Sequence, residues 1–181
     1  LAKKYGISPS DIYRNDEWAS GRFKTPHFRD SLGDLGYAAD TMETAVNWSR
    51  VKETAQRIEK AISEALSDER EKVLVYSHLS HIYPQGSSIY TTYIFRMGES
   101  YECAFCRWQK IKKAGAHETT ACGGTISHQH GVGMDHIDYL PMEKGDLGIA
   151  AIRTLCNLYD PRGQMNPNKL LTSHVTKRKE S

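Results

Sequence analysis

Apolar positions keep a regular period only after residue 48. Over roughly 50–68, Val51, Ala55, Ile58, Ile62 and Leu66 recur at three- and four-residue spacing, with Arg50, Lys52, Glu53, Arg57 and Glu59 on the other faces. That spacing predicts an amphipathic helix with Ser49 as its N-cap. Two β-rich runs follow, Val73-Leu74-Val75-Tyr76 and Ile89-Tyr90-Thr91-Thr92-Tyr93-Ile94-Phe95, on either side of Pro84-Gln85-Gly86-Ser87. They predict an antiparallel hairpin. Alternation sets Ile89, Thr91, Tyr93 and Phe95 on one face, and Tyr90, Thr92 and Ile94 on the other. A second helix is predicted over 99–114, with Tyr101, Ala104, Phe105, Trp108 and Ile111 as its stripe, ended by Gly115 and then Gly123-Gly124. A third, over 143–159, carries Leu147, Ala151, Ile152, Leu155 and Tyr159 and stops at Asp160-Pro161.

No such period survives in the first 45 residues, which Gly6, Pro9, Gly21, Pro26, Gly33 and Gly36 punctuate. They read as an irregular segment, long for a loop inside a compact domain and better suited to lie against another one. Helix, hairpin, helix and more chain together predict an α+β fold, an antiparallel sheet with helices packed on one face, preceded by that irregular segment.

Composition excludes several classes. With 39% hydrophobic residues, three Trp and ten Tyr among 181 residues, general disorder is out. The formal charge is +2, and Lys177, Arg178 and Lys179 lie in the last five residues. The body is therefore close to neutral, which argues against a nucleic-acid partner. No run approaches the roughly 18 apolar residues of a membrane helix, and no apolar h-region opens the chain. Four cysteines make no disulfide scaffold, so a reducing compartment is expected, and Asn47-Trp48-Ser49 has little meaning as a glycosylation sequon. The C-terminus Lys179-Glu180-Ser181 is not a Ser-Lys-Leu address, which leaves the cytoplasm as the expected location. The opening residue, Leu1, suggests a fragment of something longer.

Chemistry concentrates at Gly123-Gly124-Thr125-Ile126-Ser127-His128-Gln129-His130-Gly131-Val132-Gly133-Met134-Asp135-His136, where four glycines and three histidines share fourteen residues. Glycines let backbone approach a ligand, and neutral imidazoles suit proton transfer or metal binding. If the segment is extended, His128 and His130 point one way and Gln129 the other. A ligand-facing loop is the economical reading. A plain Gly-rich turn with solvated histidines and a zinc site on His128, His130 and His136 remain beside it. Acidic or cysteine ligands at suitable offsets are lacking nearby, so no metal is expected. Cys103 and Cys106 would be i,i+3 neighbours in the second helix, read as small, partly buried thiols. His78 and His81 fall on the partner strand, and nothing is assigned to His81.

The 123–133 stretch resembles the C-terminal signature of FAD-linked oxidases of the vanillyl-alcohol-oxidase type, and among them the bacterial relatives of alkyldihydroxyacetonephosphate synthase. Further similarity lies in Asp40-Thr41-Met42-Glu43-Thr44 with Trp48, in Phe23, Pro26 and Phe28-Arg29-Asp30, in Ser88-Ile89-Tyr90, and in Asp160-Pro161 with Asn166-Pro167-Asn168-Lys169-Leu170-Leu171. It spans residues 17–171. The resemblance implies FAD as cofactor, bound mainly by an N-terminal domain outside this chain. It implies three parts: 1–45 lying against that domain, 46–122 as the core of a cap domain, and 123–181 returning to the flavin side. Arg29 would contact an acidic group of the substrate, Tyr90 would give or take a proton, and His128, Gln129, His130 and Asn168 would face the cofactor. Gln129 departs from the three-histidine run of the synthases, and an amide is no general base at neutral pH.

The expected protein is thus the substrate-domain portion of an FAD-dependent oxidoreductase that oxidises a small anionic alcohol such as a 2-hydroxy acid. Arg29 would hold the anion, while Tyr90, His128 and His130 would manage the hydroxyl proton. Synthase-type transfer on the flavin and a non-enzymatic metal-binding module are the rivals. Neither flavin activity is expected from the 181 residues alone, and the hairpin edge leaves a homodimer open.

Overall fold

The computed structural model describes Lys4, Gly6 and residues 16–172. In chain order the elements are α1 (Asp16–Gly21), α2 (Thr25–Asp34), β1 (Tyr37–Asn47), α3 (Val51–Glu64), β2 (Leu74–His78), β3 (Gly86–Arg96), α4 (Tyr101–Ala121), α5 (Gly133–His136) and α6 (Leu140–Tyr159). The strands form one antiparallel sheet in the order β1-β3-β2. The α+β architecture and the β2–β3 hairpin are as the sequence predicts. The irregular reading of residues 7–15, and the basic tail with its address at 177–181, lie outside the described residues.

Residues 37–45, read from the sequence as irregular, are regular structure. An eleven-residue strand, β1, occupies Tyr37–Asn47 and pairs along its whole length with β3, from Tyr37 opposite Arg96 to Asn47 opposite Gly86. Its inward positions are Ala38, Asp40, Met42, Thr44 and Val46. Two of the five are polar, so no apolar alternation marked the strand.

The β3 alternation holds. Ile89, Thr91, Tyr93 and Phe95 are buried, and Tyr93 and Phe95 meet Met42, Ile58, Ile62, Leu66, Val73 and Ile111 in one core. Each large aliphatic or aromatic residue fully buried there contributes about 1.5–3 kcal/mol. On α3, Thr54, Ile58 and Ile62 are the buried residues, close to the predicted face. Ser49, however, is no N-cap, because a 3-10 turn at Trp48–Arg50 leads into the helix and Arg50 holds the cap position without a side-chain bond.

Helix α4 differs more. Ser100 caps it by accepting from Cys103 N (3.2 Å), and the helix then runs through Gly115 to Ala121. Gly115 does not end it, since the missing Cβ lets the helix pass close to Met42 and Ile62. The buried face is Arg107, Ile111, Lys112, Gly115, Ala116 and Thr119, whereas Tyr101 and Phe105 of the expected stripe are exposed. Arg107 is held by Glu69 (2.7 Å) and Glu71, and Lys112 by Asp40, so two cations lie inside where a hydrophobic period cannot register them. Helix α6 begins three residues earlier than expected and breaks at Gly145 (φ 64°, ψ 173°). Its apolar residues Leu147, Leu155, Leu158 and Tyr159 are exposed.

Candidate functional site

The outer face of the sheet carries Thr41 and Glu43 from β1, Ser88, Tyr90, Thr92 and Ile94 from β3, and Tyr76 and His78 from β2. Glu43 stands opposite Tyr90 in the register, on the face away from the core helices, yet its side chain is 2% exposed. Two segments cover it. One is the β2–β3 connection carrying Ser80 and His81. The other is the histidine loop, laid along the free edge of β1 by His128 N donating to Glu43 O (3.1 Å) and Thr125 N to Ala45 O (3.4 Å).

The loop is anchored at several further points. Thr44 Oγ1 donates to Thr125 O (2.7 Å), Ile126 N donates to a carboxylate oxygen of Glu143 (2.7 Å), and Ser127 Oγ donates to Gly131 O (2.6 Å). Burial would raise the Glu143 carboxyl, but the Ile126 N–H and Lys144 outweigh it and hold its pKa below the usual range. Gln129 takes a left-handed conformation (φ 61°). The loop is therefore bent rather than extended, but the side expected for the two imidazoles holds: both His128 and His130 reach Glu43, and Gln129 is exposed.

Three imidazoles converge on that one carboxylate. His81 Nδ1 is 3.4 Å and His128 Nδ1 3.3 Å from Glu43 Oε1, and His130 Nε2 is 3.3 Å from Oε2. Ser80 Oγ donates to Glu43 Oε1, shares a 2.6 Å bond with Ser88 Oγ, and Ser88 Oγ accepts from His81 N (2.8 Å). Desolvation alone would raise the Glu43 carboxyl; the Ser80 and Ser88 hydroxyls and His128 outweigh it and keep its pKa below the usual carboxylate range. A buried anion is thus held ready beside three imidazoles.

Tyr90 lies on the same face. Its hydroxyl donates to Thr41 Oγ1 (3.2 Å), and its ring meets that of His130 edge-on at 5.6 Å and that of His78 at 5.2 Å. Tyr83 OH shares a 3.0 Å bond with His128 Nε2. Beside these groups opens a cleft of about 470 Å³ lined by Asp40, Thr41, Lys112, His130, His136 and Lys169 among others. Tyr90, Thr92 and Ile94 are half-buried while Leu74 and Tyr76 are exposed.

The remaining sequence expectations fare unevenly. Tyr90, His128 and His130 come together. Arg29 is not brought to them: it donates from Nη2 to Ala39 O (3.0 Å) and borders an apolar groove with Phe95, Tyr101, Phe105 and Trp108. Asn168, left-handed at φ 58°, lines a different hollow against the end of α6. His136 is buried in the wall of the cleft that His130 also lines, with Nδ1 bonded to Val132 O (3.0 Å), and the zinc set of His128, His130 and His136 does not converge. Cys103 and Cys106 are free thiols on α4. Among the described residues the one convergent group of three or more metal-type donors is Glu43, His81 and His128. Sequence reasoning missed Glu43, His81 and Tyr83. Glu43 lies 85 residues before His128, and only the Asp40–Thr44 motif hinted that β1 belongs to the site.

The chain belongs to the family of FAD linked oxidases, C-terminal domain, whose pattern it matches over residues 9–170. It is 26% identical over 156 residues to alkyldihydroxyacetonephosphate synthase of Trypanosoma brucei brucei, covering 86% of this chain and 25% of that protein. Over 56 residues it is 41% identical to glycolate oxidase subunit GlcD of Bacillus subtilis, covering 31% of this chain and 12% of that one. A solved structure of an alkyldihydroxyacetonephosphate synthase superposes with a TM-score of 0.59 at 22% identity, over 87% of this chain and 25% of the other, which supports the fold. The chain spans about a quarter of the length of these synthases. No helix among the described residues is long and apolar enough to cross a membrane.

Proposed function

We propose that this chain is the substrate-domain portion of an FAD-dependent oxidoreductase acting on a small anionic alcohol, with a 2-hydroxy acid as the substrate class. The observation that carries the reading is the pairing of Tyr90 and His130 on the open sheet face, with His130 Nε2 3.3 Å from the buried Glu43 carboxylate. An imidazole backed by a fixed anion takes up a hydroxyl proton and holds it as imidazolium. Tyr90 orients the alcohol by hydrogen bonding, and Lys169, on the rim of the same cleft, meets the substrate's anionic end in place of Arg29. The flavin, when bound, supplies the hydride acceptor. The half-buried side chains of Tyr90, Thr92 and Ile94 on the outer sheet face would lie toward it, and its phosphates would be held by a preceding domain. The exposed apolar residues of α6, Leu147, Leu155, Leu158 and Tyr159, lie against that domain.

The test is a visible spectrum of the longer protein, recorded before and after anaerobic addition of D-2-hydroxy acids. Bleaching of a flavin band by one of them supports the reading and identifies the substrate class. A second reading, flavin-dependent alkylglycerone-phosphate synthesis, is favoured by the similarity to the synthases over most of the chain. A flavin unresponsive to every hydroxy acid turns the account toward it, and absence of any flavin contradicts both.

A further inference from the structure

The tie between helix α6 and the histidine loop marks one further residue of the site. We propose that Glu143 is a positioning residue, whose carboxylate sets how the loop presents His128 and His130 to Glu43 and Tyr90. Its hold on the imidazoles is a matter of geometry alone, whereas its effect on reaction rate rests on the function proposed above.

Along the edge of β1 the loop spends its N–H groups on two partners. Thr125 N bonds Ala45 O and His128 N bonds Glu43 O, while Ile126 N, between them, donates to Glu143 Oε2 (2.7 Å). Ile126 is 2% exposed, so water cannot take the place of that acceptor. Thr125 Oγ1 lies 3.4 Å from both oxygens of the same carboxylate.

The turn that carries Glu143 also grips the Ile126 side chain. Leu140, 2% exposed, packs with Ile126 and Ala116 in a second small core. Leu140 and Glu143 are three residues apart and share a helix face, so one turn holds Ile126 by side chain and backbone together. Gly145 then breaks α6 in a conformation that suits glycine (φ 64°, ψ 173°), which separates this turn from the exposed apolar remainder of the helix. Ile126 lies two residues before His128 and four before His130. Those imidazoles each stand 3.3 Å from Glu43, and the His130 ring meets Tyr90 at 5.6 Å, contacts that a small shift of the loop would break.

An acidic residue in a first turn also favours the helix dipole, and Lys144 Nζ lies 2.7 Å from Glu143 Oε1. Substitution separates these roles from the tie. Glu143→Gln keeps an acceptor oxygen within reach of Ile126 and gives up the charge; Glu143→Asp keeps the charge and falls one methylene short.

The test reads amide exchange and ring-to-ring Overhauser contacts by NMR in the 181-residue chain, with circular dichroism reporting the fold. Glu143→Ala and Glu143→Asp are expected to lose about tenfold or more of the Ile126 amide protection and to weaken the contact between the His130 and Tyr90 rings. Glu143→Gln and Lys144→Ala retain both. In the longer protein, Glu143→Ala should slow flavin reduction at saturating D-2-hydroxy acid by about 10- to 100-fold, with the half-saturating concentration within about twofold of the parent's. Glu143→Gln restores the rate. Parental protection and ring contact in both Glu143→Ala and Glu143→Asp overturn the proposal. So does a loss in Glu143→Gln as large as in Glu143→Ala, or a parental reduction rate in Glu143→Ala. A parent flavin that no hydroxy acid reduces counts against the proposed function, while exchange and ring contacts still decide the role of Glu143.

Discussion

Lys112 Nζ stands 3.1 Å from Asp40 Oδ2 in the layer between sheet and helix α4, with 6% of the lysine side chain exposed. The same carboxylate oxygen accepts from Trp108 Nε1 (2.7 Å) and Tyr93 OH (2.9 Å), while Lys112 also donates to Thr41 O (2.9 Å). The cluster fastens β1, β3 and α4 to one another beneath the cleft. Replacing Lys112 by Met leaves Asp40 charged with its cation gone, and the loss expected is about 2–4 kcal/mol because Asp40 is only partly buried. Urea denaturation measures it. Adding Asp40→Asn to the variant should recover part of the loss, since it removes the uncompensated charge.

Acid should act on this protein in two stages. The His136 pKa lies below its ordinary 6.5, first through burial and then through the nearby Lys112 charge, so the folded state binds that proton less readily than the unfolded chain. Its contribution is complete above about 6.5 and declines as pH falls toward the folded value. Burial would raise the Asp40 carboxyl, but Lys112, Trp108 and the Thr41 backbone outweigh it and hold it low. Its contribution is present above the ordinary carboxylate pKa of about 3.9 and is lost as pH drops through the folded value. Denaturation midpoints measured across pH should therefore sag below 6.5 and fall again below 4. His136→Gln is expected to flatten the first decline and leave the second.

Two glycines separate backbone from side-chain constraint. A Cβ on Gly86 would collide with the Val46 carbonyl across the β1–β3 pair, where neither backbone can move without breaking the ladder. A Cβ on Gly115 would meet the flexible end of Met42, and alanine there also gains about 1 kcal/mol of helix propensity. Gly86→Ala is expected to cost upwards of 2 kcal/mol and Gly115→Ala about 1 kcal/mol or less. Equal losses in parallel thermal melts would show that β1 and β3 are not packed as described.

The periodic elements were legible because burial followed apolar spacing. Ile58, Ile62, Tyr93, Phe95 and Ile111 lie where the alternation and the helical period put them. Strand β1 and the inner face of α4 were illegible for one shared reason. Asp40, Thr44, Arg107 and Lys112 are polar residues made tolerable inside by partners far away in sequence, and hydropathy records the residue but not the partner. The same holds at the site. His128 and His130 advertise themselves by clustering, whereas Glu43 and His81 acquire meaning only once the loop is laid along the edge of β1.

The central claim is that Tyr90 and His130 handle the substrate proton on the open face of the sheet. Its most direct measurement is the anaerobic rate of flavin reduction by substrate in the longer protein, for the parent, Tyr90→Phe and His130→Ala, with Tyr139→Phe as a control that lies by His117 on another surface. The account predicts a slowing of about 10²–10⁴-fold for each site variant and none for the control. Reduction at the parental rate in both site variants, with their flavin spectra intact, would contradict it.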